Sequence, residues 1–286
     1  MTSRRPSGVC PAFKLCSDSH ALPSHRRVAT RWGKPVMTLR SLPPELLDLI
    51  VDYSCDQQAT LRACCLVSRS WVPRARRHLF AHVVFDSDGC SSDIEPWMEA
   101  FPDPSNSPAH YARSLAIHGL TAVTAATTHG HAWVRSFHYI VKLAVDTHWW
   151  DDGEVSLVRL HGLSPTLKSL SVYRTALPLS EALNLTCSFP LLEDLSLCSF
   201  ILQRRQIRCP MDPPSTSPKL TGSLLLNGDA LAIAHWLLDL PGGLRFSRIS
   251  MGCPDEFFNP AMNIVSRCSD TLESLYLSSC DSLRFL

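Results

Sequence analysis

The chain has 286 residues, of which 45% are hydrophobic and 19% are charged, proportions that are typical of a folded protein with room for more than one domain. It contains no run of about 18 apolar residues, so we expect no membrane span and no membrane partner. The N-terminus lacks the continuous apolar stretch of a secretory signal, and the twelve cysteines therefore indicate free thiols in a cytoplasmic or nuclear protein.

The formal net charge of +1 is unevenly distributed. Residues 1–36 carry seven basic residues and one acidic residue; subtracting these from the totals of 27 and 26 leaves 20 basic and 25 acidic residues in 37–286. That acidic balance is not typical of a nucleic-acid-binding protein, and we expect no nucleic-acid partner. Residues 1–37, rich in Ser, Pro and Arg, are predicted to be a disordered basic segment. A transit peptide, or a natural start at Met37, is an alternative interpretation of this segment.

The stretch "LPPELLDLI" (42–50) predicts the first helix. Proline suits the first turn of a helix because it has no N–H to lose, and Ser41 is the expected N-cap. Glu45 places a negative charge where the helix dipole favours it. The helix is apolar over so much of its circumference that we expect burial on two sides, one within its own domain and the other against a partner.

Two further helices and a strand complete a helical module over residues 38–85. Asp56 is the expected N-cap of the second helix, which continues through the Cys64–Cys65 pair. Pro73 begins the third helix, "PRARRHLF", and "HVVF" (82–85) predicts a strand. Residues 86–109 are predicted to be a linker that leads into a first repeat.

Two separated blocks of this module resemble the F-box. The family's pattern is a leading Leu-Pro with a nearby acid, a central Ile/Leu pair and a closing V-C-(R/K)-x-W. The matching positions here are Leu42, Pro43, Glu45, Leu46, Ile50, Leu61, Cys65, Val67, Arg69 and Trp71. The closing block reads "LVSRSW", with Ser68 where the family commonly has Cys. The tail "RARRHLF" before a strand resembles the F-box proteins of mushroom-forming fungi.

This resemblance implies a partner. F-boxes bind the Skp-family adaptor of cullin–RING (SCF) ubiquitin ligases, so the second apolar side of the first helix would face that adaptor. The residues expected to bind it are Leu42, Pro43, Glu45, Leu46, Ile50, Val67, Arg69 and Trp71. The alternative is that these side chains only hold the three helices together.

An apolar-x-x-apolar-x-apolar pattern recurs through residues 110–286. Clear copies are "YIVKLAV", "LKSLSV", "LEDLSL" and "LESLYL", and weaker ones are "ARSLAI", "GSLLL" and "FSRISM". Successive central residues are 28, 27, 25, 29, 25 and 26 positions apart, within the range of leucine-rich repeats. These central residues are Leu115, Leu143, Leu170, Leu195, Leu224, Ile249 and Leu275.

The repeats predict an irregular leucine-rich-repeat solenoid of about seven repeats over 110–286. Together with the small three-helix module that resembles the F-box, this gives an α/β fold. Each repeat supplies a strand with its leucines turned inward, and the strands form one curved parallel sheet. Residues 227–240 predict a returning helix capped by Asn227 or Asp229, and residues 258–269 another capped by Asn259 with Pro260 at its first position. The asparagine ladder of regular repeats is largely missing.

The end of the repeat array lacks the polar cap that solenoids need. We expect either that Leu283, Phe285 and Leu286 fold back as a minimal cap or that the natural chain is truncated.

Few residue patterns point to chemistry. His129 and His131 form an i, i+2 pair without further metal ligands nearby, which favours loop histidines over a metal site, and we expect no cofactor. Trp149 and Trp150 beside Asp151 are candidates for target binding, although one buried Trp with an acidic turn is the simpler interpretation. Residues 203–219 are a basic, Pro-rich insertion, either a loop near a binding surface or a tolerated insertion.

The sequence therefore predicts a substrate-receptor subunit of an SCF ubiquitin ligase that is not itself an enzyme. It would hold the adaptor through its F-box and a target protein through its repeats. One alternative is a repeat scaffold whose F-box acts outside a ligase or is degenerate. The other is a hydrolase, which would need a clustered nucleophile and base that no motif supports.

Overall fold

A computed structural model describes residues 43–86, 94–118, 136–146, 160, 163, 165–173, 179–200, 218–228, 233–240, 242–253 and 258–279. The chain divides into two compact units, residues 1–79 and residues 80–286. We call them the helical unit and the sheet unit. None of the helices in the described part of the chain combines the length and apolarity that crossing a membrane requires.

The helical unit contains α1 (Pro44–Tyr53), α2 (Gln58–Val67) and α3 (Val72–Leu79). The predicted helix starts differ from the observed ones, and α3 begins at Val72 rather than at the predicted Pro73 and ends at Leu79. Pro43, whose carbonyl oxygen accepts hydrogen bonds in the first turn, is the N-cap of α1, and Ser41 lies outside the described residues. Gln57 rather than Asp56 is the N-cap of α2, so that prediction was wrong by one position.

The buried side chains of the helical unit come from all three helices, and α3 packs against both α1 and α2. They are Val51, Leu61, Cys64, Ala75 and Leu79. The described part of the unit, residues 43–79, therefore has a small core, as expected near the lower size limit for independent folding.

The sheet unit is built on one parallel sheet of eight strands, and the predicted α/β class with a parallel sheet is confirmed. Spatial order equals chain order, from β1 to β8, among the residues that the structure describes. The strand bounds are β1 His82–Phe85, β2 Ser114–His118, β3 Lys142–Asp146, β4 Ser169–Tyr173, β5 Asp194–Phe200, β6 Ser223–Gly228, β7 Arg248–Cys253 and β8 Ser274–Ser279.

The predicted repeat centres form one row across this sheet. Leu115 pairs with Leu143, Leu143 with Leu170, and the centres stay paired in this way to Leu275 on β8. The pairing of β5 with β6 shifts register only later, between Cys198 and Phe200. The residues two positions later form a second row that starts at Phe85 and ends at Leu277. On β2 to β7 both rows are at most 2% exposed, which confirms the inward orientation expected there. On β8 the same positions are exposed.

The segments between strands contain helices α4 (Ile94–Ala100), α5 (Leu179–Cys187), α6 (Ile233–Leu238) and α7 (Phe258–Arg267), and the 3₁₀ turns Pro104–Asn106 and Pro108–Tyr111. Within the helix predicted over 227–240, the structure describes α6 at Ile233–Leu238. Asn227 is not its cap because it lies in β6, paired with Gly252, and Asp229 lies outside the described residues. Asn259 is likewise not a cap, because it is the second residue of α7, and Pro260 is the third.

An aromatic cluster covers the first strand of the sheet. Trp97 on α4 packs edge-to-face against Phe85 of β1, with ring centroids 5.5 Å apart, and stacks on Phe137 at 5.9 Å. Phe80 and Phe101 complete the cluster. β1, predicted to close the helical module, pairs with β2 of the sheet unit. Residues 86–109, predicted to be a linker that leads into a first repeat, contain α4, which packs on the core of the sheet unit.

Candidate protein-binding surface

One face of α1 is apolar and exposed. Leu46, Leu49, Ile50 and Tyr53 follow the i, i+3, i+4, i+7 spacing of a single helix face, and we call them the α1 stripe. Their exposed fractions are 45%, 57%, 46% and 94%. The opposite side of the helix carries Val51, which is 1% exposed. The stripe therefore contributes little to the described core of the helical unit.

A row of acidic residues runs beside the α1 stripe. Glu45, Asp48 and Asp52 follow the i, i+3, i+7 spacing of a neighbouring helix row. Glu45 and Asp48 are exposed, whereas Asp52 is engaged by α3. An apolar stripe with two exposed carboxylates along one border is complementary to an apolar partner groove with basic or hydrogen-bond-donating groups along one rim.

Asp52 connects α1 to α3. Its Oδ1 accepts a hydrogen bond of 2.7 Å from Nε of Arg74, and its Oδ2 accepts a second from Nη2 of the same guanidinium. Nε2 of His78 also lies 2.7 Å from Oδ1. The hydrogen bonds from Arg74, and then from His78, hold the pKa of Asp52 well below its usual range. This contact joins α1 to α3 outside the α1 stripe.

The C-terminal end of α2 exposes a second apolar pair. Leu66 is 88% exposed and Val67 is 59% exposed. Arg69 follows and is exposed, whereas Trp71 is half-buried before α3, where its carbonyl oxygen accepts a hydrogen bond from the backbone N–H of Ala75. Trp71 therefore belongs to the turn that starts α3.

The residues expected to bind an adaptor are distributed over these elements. Leu42 lies outside the described residues, and the other seven are described. Pro43, Glu45, Leu46 and Ile50 are exposed on or beside α1, as are Val67 and Arg69 at the end of α2. Leu49, Tyr53 and Leu66 are exposed as well but are not among the residues that the sequence predicts to bind an adaptor. The i+3 and i+4 spacing within α1 relates Leu49 and Tyr53 to Leu46, but exposure follows from tertiary packing.

The other candidate sites lie largely outside the described residues. Trp149, Trp150 and Asp151 are not described, nor are His129 and His131. Of the 203–219 insertion only its last two residues are described. Within the described ranges, the structure contains no group of three or more side chains that could hold a metal ion.

Two features of the sheet unit bear on chemistry. Nδ1 of His118 lies 3.8 Å from Oδ2 of Asp146 at the carboxyl ends of β2 and β3, too far for a hydrogen bond. Burial raises the pKa of the Cys187 thiol to about 12, and burial also raises the pKa of Cys198 and Cys268. A raised pKa lowers the thiolate fraction, so these three thiols are poor nucleophiles.

Comparison of the chain with protein-family models, with curated proteins and with solved structures gave no match.

Proposed function

We propose that this protein is a substrate-receptor subunit of an SCF-type ubiquitin ligase, as the resemblance of its helical unit to the F-box implies. In this proposal the helical unit is an F-box and binds a Skp-family adaptor through the α1 stripe and the end of α2. The sheet unit is a leucine-rich-repeat solenoid that binds a target protein. The protein itself performs no catalysis.

The observation that carries the proposal is the concentration of exposed apolar side chains in the helical unit. Among the described residues, six of the thirteen exposed large hydrophobic side chains lie between Leu46 and Val67. Exposed apolar side chains scattered singly need no explanation, but a group of this density marks a protein-binding surface. Four of the six occupy one face of one helix, which is how an amphipathic helix enters a partner's apolar groove.

The sheet unit supports the second half of the proposal. All seven neighbouring strand pairs are parallel, chain order is kept throughout, and the repeat centres stay in register although their spacing varies from 25 to 29 residues. Stacking of similar units against their nearest neighbours is the principle of a solenoid. Trp149, Trp150 and Asp151 remain predicted contacts to the target.

The proposal is tested by measuring how the full chain binds a purified Skp-family adaptor. We expect the parent chain to bind and Leu46→Ala/Ile50→Ala to bind at least about tenfold more weakly, a loss of about 1.4 kcal/mol. Alanine favours helix, so the double substitution removes apolar surface without breaking α1. Leu42→Ala/Pro43→Ala extends the test to the start of the F-box pattern.

The matched control removes the same kind of surface elsewhere. Leu191 and Met262 of the sheet unit are 36% and 37% exposed, and Leu191→Ala/Met262→Ala should leave adaptor binding unchanged. A parent chain that does not bind the adaptor, or equal losses in the two double variants, would contradict the proposal.

Whether a cullin co-purifies distinguishes a ligase subunit from a scaffold that acts outside a ligase. Ser68 stands where F-boxes commonly have Cys, which is a departure from the family pattern. Adaptor binding must therefore be accompanied by a test of ligase assembly. We expect a cullin to co-purify with the complex of parent chain and adaptor. Adaptor binding without a cullin would favour the scaffold.

A further inference from the structure

The last described strand differs from its neighbours in how deeply its leucines are buried. Leu275 and Leu277 of β8 are 43% and 39% exposed, whereas their register partners on β7, Ile249 and Met251, are 2% and 0% exposed. All four side chains belong to the two apolar rows that form the core of the sheet unit. On β8 the side chains of both rows are exposed to solvent.

The two ends of the sheet differ in how far the side chains of the terminal strand are covered. At the β1 end, Phe85 is 3% exposed and packs against Trp97 of α4, so the first strand is covered. At the β8 end, α7 lies between β7 and β8 in the chain, yet Leu275 and Leu277 stay exposed. Within the described ranges, the strand order ends at β8, whose outer edge has no neighbouring strand.

The sequence of β8 does not protect this edge. Natural edge strands avoid pairing with other chains by carrying charged residues, proline or a bulge. The six residues of β8, "SLYLSS", contain neither a charge nor a proline, and the pairing of β8 with β7 has no register shift. Tyr276 on the other face is 64% exposed. The edge is therefore uncharged, apolar on one face and aromatic on the other.

We propose that β8 pairs edge to edge with β8 of a second copy of this chain, in antiparallel orientation about a two-fold axis at Tyr276. In this register Leu275 lies opposite Leu277 of the other copy, and Leu277 opposite Leu275. Directly opposite residues point to the same face, so the apolar rows of both copies join. Tyr276 lies opposite Tyr276 of the other copy, and the two rings form an aromatic cross-strand pair.

The sequence of β8 is self-complementary in charge and register, which is the argument for a second copy of this chain as the occupant. A register centred on Tyr276 pairs both leucines with leucines, whereas a shift of the axis to Leu275 or Leu277 places one of them opposite a polar residue. Glu273, the nearest acidic residue, falls opposite Ser279 rather than opposite another carboxylate. An antiparallel pair of β8 edges thus meets no like-charge repulsion.

The test is the association state of the full chain, measured by sedimentation equilibrium from low to high micromolar concentration. We expect a monomer–dimer equilibrium whose dissociation constant rises at least about tenfold in Tyr276→Lys, because two ammonium groups then face each other across the axis. Val84→Lys is the matched control. Val84 is 50% exposed on the same face of β1 at the opposite edge of the sheet, so its substitution should leave the dimer intact.

A mixture of variants tests the position of the axis. Tyr276→Glu should also weaken the homodimer, whereas an equimolar mixture of Tyr276→Lys and Tyr276→Glu should recover a heterodimer, because opposite charges then meet. A parent chain that stays monomeric would overturn the proposal and leave the β8 edge to a different chain. A dimer that is insensitive to Tyr276→Lys, or a mixture that recovers nothing, would overturn it equally.

Discussion

Asp52 on α1 and Arg74 on α3 are 22 positions apart in the chain, and Nε of Arg74 donates a 2.7 Å hydrogen bond to Oδ1 of Asp52. This contact joins α1 to α3. On the same helix Val51 is buried and the α1 stripe is exposed. The ion pair lies outside the proposed adaptor surface, so it can be removed without altering the side chains of the α1 stripe.

Removing the charge of Asp52 should loosen α1 without changing the α1 stripe. In Asp52→Asn we expect faster hydrogen exchange at the backbone amides of α1 and α3, measured by mass spectrometry, because the charge-assisted bonds are lost. Asp48→Asn is the control. Asp48 lies 4.0 Å from Nη1 of Arg74 and is 53% exposed, so its effect should be small. Equal exchange in the two variants would contradict this role for Asp52.

The same contact predicts a dependence on pH. The pKa of Asp52 is lowered in the folded protein, so its contribution to stability is complete above the pKa of the unfolded chain, about 3.9. That contribution is lost as the pH falls from there through the folded pKa. After correction for the intrinsic exchange rate, protection of α1 should decline below about pH 4 as Asp52 becomes protonated. Asp52→Asn should show a smaller decline.

The two apolar rows predict that replacing a leucine by alanine lowers the free energy of unfolding by an amount that depends on the strand. Leu197, in the second row on β5, is 0% exposed, and Leu197→Ala should lower the free energy of unfolding by about 2–5 kcal/mol in urea titrations. Leu277 occupies the same row on β8 but is 39% exposed, so Leu277→Ala should cost less than about 1.5 kcal/mol at concentrations where the chain is monomeric. Similar costs at the two positions would show that the second row is buried equally on both strands.

Much of the sheet could be predicted because its signal is periodic. The central leucines recur every 25–29 residues, and a parallel strand placed on its neighbour with both apolar rows facing inward has one register that keeps them aligned. The register from Leu115 to Leu275 therefore follows from spacing alone. The variation in spacing is absorbed between strands, where chain length is weakly constrained.

What could not be predicted depends on single contacts that have no period. Val83 of β1 lies 32 positions before Leu115, outside the spacing of 25–29 residues between the repeat centres. The pattern "HVVF" alone does not distinguish a first strand of the sheet from the end of the helical module. The place of β1 is set by pairing with β2 and by Trp97. For the α1 stripe, the sequence shows an apolar helix, but which of its residues are exposed follows from packing against α3.

Gly222 provides a further test, at the entry to β6. A Cβ at this position would overlap Oδ1 of Asp194 and approach the carbonyl oxygen of Glu193 to 3.2 Å. That Oδ1 accepts hydrogen bonds of 2.6 Å from the backbone N–H and the hydroxyl of Ser223. Gly222→Ala should therefore displace Asp194 and lower the free energy of unfolding by about 1–2 kcal/mol. The neighbouring exposed substitution Thr221→Ala should change it by less than about 0.5 kcal/mol, and equal effects would contradict this explanation.

Among the described cysteines, the buried thiol of Cys187 should react far more slowly than the exposed thiol of Cys55. Cys55 is exposed, whereas Cys187 is buried and its pKa is raised from 9.0 to about 12, which lowers its thiolate fraction by about a thousandfold at neutral pH. In peptide-resolved iodoacetamide labelling of the native chain we expect Cys55 to be modified first and Cys187 to remain protected. In denaturing urea the two should react at similar rates, since burial is the cause of the difference. Labelling of native Cys187 as fast as that of Cys55 would mean that α5 opens readily and that the end of this helix is not part of the stable core.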